Sequence, residues 1–189
     1  MTADPPEGQM TVEALRRRRP QTLAELLDAH GREIQAVAFL ILRDRSAAED
    51  VTIETLLTAF EKGGSIRDGS AVRAWLLKVA ANKALAIRRR GARLVNLDQL
   101  PDRAAPGDLA GEAASHIALL AGVADLPPAM RAAVVLRYYS DLPVEEVAAA
   151  LGKSPNTIKA QLQTALDRLR HSLADPAADA ATPREARHA

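Results

Sequence analysis

Apolar positions recur along most of the chain at the three- and four-residue spacing of amphipathic helices. The first run begins near Thr22 and continues to about Arg43. A second run follows residues 46–49, where Ser46 and Glu49 form a capping-box pattern, and two glycines are expected to end it after Lys62. The strict alternation of a half-buried strand is missing from the sequence. The pattern therefore predicts an all-α protein.

Turn and cap residues divide the rest of the chain. Ser70 is a plausible N-cap for a helix that Gly91 would end, and residues 92–108 combine prolines, a glycine and alternating charges, as linkers do. Further helices are predicted over 109–123, 126–139, 143–151 and 154–173.

We therefore expect two small helical domains, 21–91 and 109–173, joined by the flexible linker 92–108. Residues 1–20 are expected to form a mobile arm and residues 174–189 a disordered tail. A flexible linker would let the two domains move independently.

Composition narrows the chemistry. The 189 residues are 48% hydrophobic but only 3% aromatic, which fits a soluble, mainly helical protein. The sequence contains no cysteine, which excludes disulfides, thiolate zinc sites and thiol nucleophiles. The four histidines are scattered without metal-ligand spacing: His30, His116, His171 and His188. We expect no metal, no cofactor, no catalytic residues and no enzymatic activity.

The location follows from what the sequence does not contain. Its apolar runs all fall well short of the roughly 20 residues that a membrane span requires. The first ten residues do not place an apolar region after a basic one, as a secretory signal does. We expect a cytoplasmic protein with no membrane insertion.

The segment VRAWLLKVAANKALAIRRRG, residues 72–91, is both apolar and basic. At about 100° per residue, Lys78, Asn82 and Arg89 share one strip, with Trp75 at its edge. A second strip is expected to face the core and consists of Val72, Leu76, Val79 and Ile87. Residues 67–93 contain eight basic residues and one acidic residue, although the net charge of the whole chain is only +1.

The positive electrostatic field of this segment attracts a polyanion. Trp75 adds a stacking surface, and Asn82 adds a side chain that can hydrogen-bond to a base. Two simpler interpretations stay open. Arg88, Arg89 and Arg90 also complement the dipole at the end of a helix, and Trp75 also suits a core position.

The preceding helix has the opposite charge. Its acids are Asp44, Glu49, Asp50, Glu54 and Glu61. They form either an ordinary solvated face or a docking surface for a basic protein partner.

Residues 143–162 have the spacing of a helix-turn-helix. Ala148 is small where two helices would cross, and Gly152 permits the turn. The second helix is expected to expose Asn156, Thr157, Lys159, Ala160, Gln161, Gln163 and Thr164. Glutamine and asparagine bond adenine edges in the major groove and Lys159 reaches phosphate or guanine, so this pair is a candidate duplex-DNA reader, although any tight helical hairpin shares its apolar pattern.

Together these blocks resemble the extracytoplasmic-function (ECF) sigma factors of the sigma-70 family. AAEDVTIETLLTAFEK (47–62) is similar to the part of region 2 that docks on polymerase, and residues 72–91 to the part that opens and reads the minus-ten element. Residues 126–170 are similar to region 4, which reads the minus-thirty-five element. The resemblance covers roughly 22–173.

The resemblance implies partners and residue roles. The partners would be core RNA polymerase, promoter DNA as duplex and as non-template single strand, and an anti-sigma factor. The residues implied in minus-ten binding are Trp75, Lys78, Asn82, Arg88, Arg89 and Arg90. Those implied in minus-thirty-five binding are Asn156, Thr157, Lys159, Gln161, Gln163 and Thr164. Those implied in polymerase binding are Glu49, Asp50 and Glu54.

The chain departs from the family pattern at Thr52-Ile53 and at Ala160-Gln161, the second of which suggests an unusual base preference. A helix-turn-helix regulator that does not bind polymerase is the alternative, but it would have no use for the acidic helix or for Trp75 beside Asn82. A sigma mimic that captures an anti-sigma protein would not need the arginine cluster.

Overall fold

The computed structural model describes residues 7–17, 19, 21–66, 68–69, 71–94 and 111–174. Its α-helices are α1 (Glu7–Arg17), α2 (Gln21–Leu42), α3 (Arg45–Lys62), α4 (Ala71–Leu94), α5 (Gly111–Asp125), α6 (Pro128–Val134), α7 (Val144–Leu151) and α8 (Pro155–Ala174). A 3-10 turn covers Gly63–Ser65 and a π-helical segment covers Val135–Tyr139. The described residues contain no strand, and the all-α prediction is confirmed.

Three expectations about segments between and beyond the helices lie partly or wholly outside the described residues. These are the linker from residue 95 onward, the tail from residue 175 onward and the cap at Ser70. At the start of the expected linker, α4 continues past Gly91 to Leu94.

The N-terminus of α3 is capped differently from the prediction. Asp44 occupies the N-cap position, and its Oδ1 accepts a hydrogen bond from the main-chain nitrogen of Ala47 at 3.0 Å. Ser46 is already inside the helix, so the predicted capping box of Ser46 and Glu49 is wrong. Aspartate is as good a cap as serine, and the position of Asp44 lets α3 start two residues earlier than predicted.

Residues 7–17 form a helix where a mobile arm was expected. Val12 and Leu15 of α1 are buried, and the hydroxyl of Thr22 donates to the main-chain oxygen of Ala14 at 3.3 Å. A β-carbon on Gly63 would lie 2.9 Å from a methyl group of Leu15, so a larger residue there would force the Leu15 side chain to shift. The apolar pair of α1 thus finds a partner surface that its short sequence pattern did not reveal.

Helices α1 to α4, which we call the first helix group, surround a core of small and branched side chains. Its buried residues include Ile34, Val37 and Ile41 from α2, with Leu76 and Ala80 from α4. Burial of such side chains stabilises a helix bundle by roughly 1.5–3 kcal/mol for each large residue. The core therefore fixes how α2 and α4 lie side by side.

Helices α5 to α8, which we call the second helix group, include the predicted helix-turn-helix. Gly152 follows α7 with φ 64°, a left-handed conformation that favours glycine, and Ser154 caps α8 through a 3.1 Å hydrogen bond from the nitrogen of Thr157. Val147 and Ile158 are fully buried between the two helices. The predicted turn, cap and helix bounds of this hairpin are confirmed.

The two helix groups pack against one another, and their buried apolar residues form one connected core. Helix α4 contacts α6 and α7, and α2 contacts α6 and the π-helical segment. This arrangement differs from the expectation of two domains that touch only through a linker. The polar contacts between the two helix groups are described below with the candidate interfaces.

Candidate nucleic-acid and polymerase interfaces

The basic strip of α4 is exposed as predicted. Lys78, Arg89 and Arg90 are exposed, Arg88 is half-buried, and the Nε of Arg89 donates to the main-chain oxygen of Leu85 at 3.3 Å. Trp75 is half-buried and packs against the core, so one part of its ring is structural and one part faces solvent. The strip therefore presents cations from Lys78 to Arg90 along the helix.

The inner face of α4 ends earlier than predicted. Val72 and Leu76 are buried, but the prediction that Ile87 faces the core is wrong, because 36% of its surface is exposed. Ala84 is the last buried residue of α4 among those whose side chains the structure describes, and Leu85 beyond it packs partly against the core. The arginine-rich end of α4 is therefore less enclosed than its middle.

Asn82 lies on the exposed side of α4 but already has a partner. Its Nδ2 donates to the main-chain oxygen of Ala150 in α7, 2.9 Å away. The prediction of an outward-facing asparagine is confirmed, and one of its amide hydrogens also joins the two helix groups.

Helix α3 presents a face that is acidic and apolar together. Asp50, Ile53, Glu54 and Leu57 follow the helical repeat along one side, and all four are exposed, with Ile53 at 59% and Leu57 at 47%. Asp50 makes no hydrogen bond or ion pair within the described part of the chain. The sequence analysis did not assign Ile53 and Leu57 to this surface. Their position within one helical turn of Asp50 and Glu54 could have indicated it.

The other acids of α3 are partly engaged. Glu49 accepts from Arg45 at 3.2 Å and from Gln35 at 3.5 Å, while Glu54 pairs with Lys83 of α4 at 2.9 Å. Lys83 is mostly buried along its stem. This ion pair ties the acidic face of α3 to the basic helix beside it, so the two candidate surfaces are direct neighbours.

Most of the predicted reading residues on α8 are exposed: Asn156, Thr157, Lys159, Ala160, Gln163 and Thr164. Several of their polar atoms are engaged locally. The hydroxyls of Thr157 and Ser154 are 2.8 Å apart, the Nε2 of Gln163 donates to Asp167 at 3.3 Å, and the hydroxyl of Thr164 donates to Ala160 at 3.0 Å.

Gln161 differs from its predicted exposure. The residue is half-buried, and its Oε1 is buried with no hydrogen-bond partner among the described residues. It lies three residues after Ile158 and four before Ala165, both of which are buried, so it falls at the edge of the inner face. Asn156 and Lys159 are the exposed reading residues of α8 whose side chains make no hydrogen bond within the described part of the chain.

Arg131 of α6 is a buried cation at the boundary of the two groups, only 3% exposed. Its guanidinium donates to the main-chain oxygens of Ile41 at 2.8 Å and Leu126 at 3.1 Å, and also to that of Ala124. Burial, followed by the nearby charges of Arg88 and Arg43, lowers the pKa of Arg131 to about 10. Its burial was not predictable from the sequence, since an arginine on a short helix ordinarily lies at the surface.

Arg73 of α4 is a second cation that links the two helix groups, because it contacts Glu33 in the first group and Ser140 beside the second. The Nε of Arg73 donates to Glu33 at 2.8 Å, and its Nη2 donates to the other carboxylate oxygen of Glu33 and to the main-chain oxygen of Ser140 at 2.7 Å. Burial lowers the pKa of the neighbouring His30, Glu33 raises it and Arg73 lowers it further. Arg73 was counted only as part of the positive charge of this segment.

The described residues contain no helix long and apolar enough to cross a membrane. Within the same part of the chain, no group of three or more histidine, aspartate or glutamate side chains is arranged to hold a metal ion.

Comparison with known families agrees with this geometry. Residues 26–94 match the family described as Sigma-70 region 2, and residues 116–169 match Sigma-70, region 4. The first match covers α3, α4 and most of α2, and the second covers α7 and most of α8.

Curated relatives extend over most of the chain. The RNA polymerase sigma-E factor of Streptomyces coelicolor is 36% identical over 135 residues, covering 70% of this chain and 75% of that protein. The ECF RNA polymerase sigma factor SigL of Mycobacterium tuberculosis is 32% identical over 155 residues, covering 78% and 86%. The ECF RNA polymerase sigma factor SigE of Mycolicibacterium smegmatis is 30% identical over 166 residues, covering 83% of this chain but 63% of that protein.

Two solved structures share the fold. One is the sigma factor RpoE in complex with the anti-sigma factor NepR from Bartonella quintana, with a TM-score of 0.64, 24% identity and coverage of 82% of this chain and 98% of that one. The other is CnrH in complex with the cytosolic domain of CnrY, with a TM-score of 0.65, 20% identity and coverage of 93% and 99%. With both regions matched in order and relatives of 30% identity or more across most of its length, the chain belongs to the sigma-70 family, as an ECF RNA polymerase sigma factor.

Proposed function

We propose that this chain binds core RNA polymerase through the exposed face of α3 and directs it to promoters. In this proposal α4 reads the minus-ten element as single strand, and α8 reads the minus-thirty-five element as duplex. The chain acts as a non-enzymatic subunit in the cytoplasm, where core polymerase works. A domain of residues 21–91 carries the first two roles and a domain of residues 109–173 carries the third.

One observation carries the proposal most strongly. The acidic, apolar face of α3 lies directly beside the basic strip of α4, and Lys83 and Glu54 join the two helices at 2.9 Å. A protein partner on one face and a nucleic acid on the other would therefore be held next to each other. A regulator that binds only duplex DNA would need neither the exposed Ile53 and Leu57 nor their flanking acids.

The pairing of acids with apolar residues suits a protein surface. Exposed carboxylates steer a basic partner and set its orientation, while buried apolar contacts supply affinity at the centre of an interface. Asp50 and Glu54 are one turn apart on α3, with Ile53 between them. We assign Glu49 a smaller part because Arg45 and Gln35 already engage its carboxylate.

We also propose that an anti-sigma protein controls this chain. The support is that RpoE and CnrH, whose folds it shares, are seen in complexes with NepR and with the cytosolic domain of CnrY. The likeness to those two proteins is one of fold, so the type of inhibitor is left to experiment. Competition between purified inhibitor candidates and core polymerase for the chain would test this part.

The docking assignment is tested by reversing charge. The double variant Asp50→Lys, Glu54→Lys should bind core polymerase at least about tenfold more weakly, because opposite charges at a protein interface become like charges. The matched control is Glu25→Lys, Asp28→Lys, which reverses two exposed acids on α2. Equal affinities of both double variants and wild type would overturn the assignment, provided that their thermal unfolding curves agree.

A further inference from the structure

The turn between α2 and α3 holds an arginine in a backbone conformation that suits glycine. Arg43 has a φ of 61°, in the left-handed region, and its main-chain nitrogen donates to the oxygen of Phe39 at 2.7 Å. A residue with a β-carbon is disfavoured in this region, whereas glycine adopts it freely. An arginine kept at such a position points to a use for its side chain.

The side chain of Arg43 is exposed and is held in place by an aromatic ring. Its guanidinium lies over the ring of Phe39, 5.6 Å from the ring centroid, and 38% of the surface of Phe39 is exposed. Among the described residues, the Arg43 side chain makes no hydrogen bond or ion pair. The cation–π contact limits the directions that the guanidinium takes and leaves its N–H donors available to a partner.

Arg88 of α4 lies near the same point. It is half-buried and one turn beyond the buried Ala84, so it continues the inner row of α4 toward the neighbouring helices. The main-chain oxygen of Ile41, two residues before Arg43, accepts from Arg131 at 2.8 Å. Burial and then the charges of Arg88 and Arg43 lower the pKa of Arg131, so both arginines approach it. The end of α2 and the last turns of α4 thus bring two cations together.

The acids near this point do not neutralise the two cations. Asp125 acts on Arg131, which main-chain oxygens already hold, and Asp44 caps α3. Neither Arg43 nor Arg88 is paired with a carboxylate in the part of the chain that the structure describes. Guanidinium groups bind phosphate oxygens through two parallel N–H donors, which makes a phosphate the fitting partner for this pair.

We infer that Arg43 and Arg88 together hold a backbone phosphate of promoter DNA, and that Phe39 positions Arg43 for this contact. The DNA surface then extends from the exposed Arg89 and Arg90 of α4 onto the end of α2. This inference rests on the proposed function of α4. A DNA backbone fits better than an acidic protein, because it presents phosphates at regular intervals to cations that follow one another along the surface.

Arg43→Gly is the variant that tests the contact, because it removes the guanidinium and suits the left-handed backbone. Its thermal unfolding should stay close to that of wild type, since relief of the backbone offsets the freer unfolded chain. Arg43→Lys keeps the positive charge at the same position. The matched control is Arg32→Gln, which removes an exposed cation from the middle of α2.

The complex of core polymerase and the full chain is titrated onto a promoter duplex that responds to this chain in run-off transcription, and fluorescence anisotropy gives the affinity at several salt concentrations. Arg43→Gly should bind roughly tenfold more weakly and should reduce the slope of log affinity against log salt by about one, as loss of one phosphate contact does. Arg43→Lys and Arg32→Gln should keep the wild-type slope.

Phe39 should act only through Arg43. Phe39→Leu should weaken binding roughly threefold and leave the salt slope unchanged, because the guanidinium remains but is no longer held by the ring. Phe39→Tyr keeps an aromatic ring under Arg43 and should bind as wild type does. A lower salt slope in Phe39→Leu, or equal weakening in Phe39→Tyr, would contradict the positioning role.

An unchanged salt slope in Arg43→Gly would overturn the inference, and so would an equal reduction in Arg32→Gln, which would indicate an effect of total charge alone. Weaker binding of Arg43→Gly to core polymerase, with unchanged DNA binding by the assembled complex, would assign the pair to an acidic protein surface instead. Failure of the proposed function looks different. In that case no duplex yields a transcript that depends on the wild-type chain, and the inference fails with it.

Discussion

The side-chain amide of Asn82 on α4 donates a hydrogen bond to the main-chain oxygen of Ala150 on α7, 2.9 Å away. The two residues are 68 positions apart in sequence. Their contact places Asn82 at the boundary between the two helix groups, so the base reading proposed for this residue and the packing of the two groups involve one side chain.

Asn82→Ala should separate these two roles. With core polymerase, we expect a selective loss of preference for one base of the minus-ten element, because the amide no longer meets that base. The loss should persist on a template with a pre-opened mismatched bubble, since the contact is made to single strand. Run-off transcription on fully duplex and bubble templates measures this.

The control for Asn82→Ala is Arg90→Ala, which removes a cation from the same helix. It should weaken binding on all sequences alike, and most at high salt, because its partner is phosphate. Full rescue of Asn82→Ala by the bubble would mean that the residue acts only on duplex, and equal activity of mutant and wild type on both templates would remove sequence reading from α4.

The recognition helix α8 allows a finer test. Lys159→Ala should lower affinity for minus-thirty-five duplex on all sequences and reduce the slope of log affinity against log salt by about one. Gln163→Ala should instead change base preference, once its amide has left Asp167. Salt titrations of both variants on a panel of duplexes distinguish these effects.

Gln161→Ala is expected to differ from both, because Gln161 is half-buried beside Ile158. A change in base preference as large as that of Gln163→Ala would contradict the inward position. We expect mainly a change in stability of about 0.5–1 kcal/mol, typical of a partly buried position.

Local sequence signals predicted local structure well. The helix-turn-helix was predicted from Gly152, Ser154 and the apolar spacing around them, all of which act within a few residues. The α3 cap was missed because Asp44 and Ser46 are both good N-caps, and the choice depends on where α2 ends. A local sequence pattern therefore does not show which of two suitable residues becomes the N-cap.

Contacts between distant segments were not predictable in the same way. Arg131 reads as an ordinary surface arginine, and only the packing of α6 against the end of α2 buries it. Ile87 has the right angular position for the core but lies beyond the last buried turn of α4. Helical periodicity gives a direction around the axis and carries no information on how far the neighbouring helices extend.

Arg131 should make a large contribution to stability. Arg131→Met removes a charged donor to three main-chain oxygens and should lower the free energy of unfolding by about 3 kcal/mol. The control Arg170→Met breaks an exposed pair with Asp167 and should change it by less than about 1 kcal/mol. Urea unfolding measures both, and similar small effects would contradict a structural role for Arg131.

His30 should make stability depend on pH. Burial lowers its pKa below the ordinary 6.5, so as pH falls through 6.5 the unfolded chain binds a proton more readily than the folded chain. Wild type should therefore lose stability relative to His30→Gln as pH falls below 6.5, and match it more closely above. A constant difference between the two proteins from pH 7.5 to pH 5.5, across that ordinary value, would contradict the shift.

Run-off transcription with purified core polymerase on a library of genomic fragments tests directly whether this chain directs initiation. Defined start sites should appear only when the chain is added. Asp50→Lys, Glu54→Lys should abolish most of them, while the control Glu25→Lys, Asp28→Lys should retain them. Transcripts that are the same with and without the chain would show that it is not a promoter-specificity subunit.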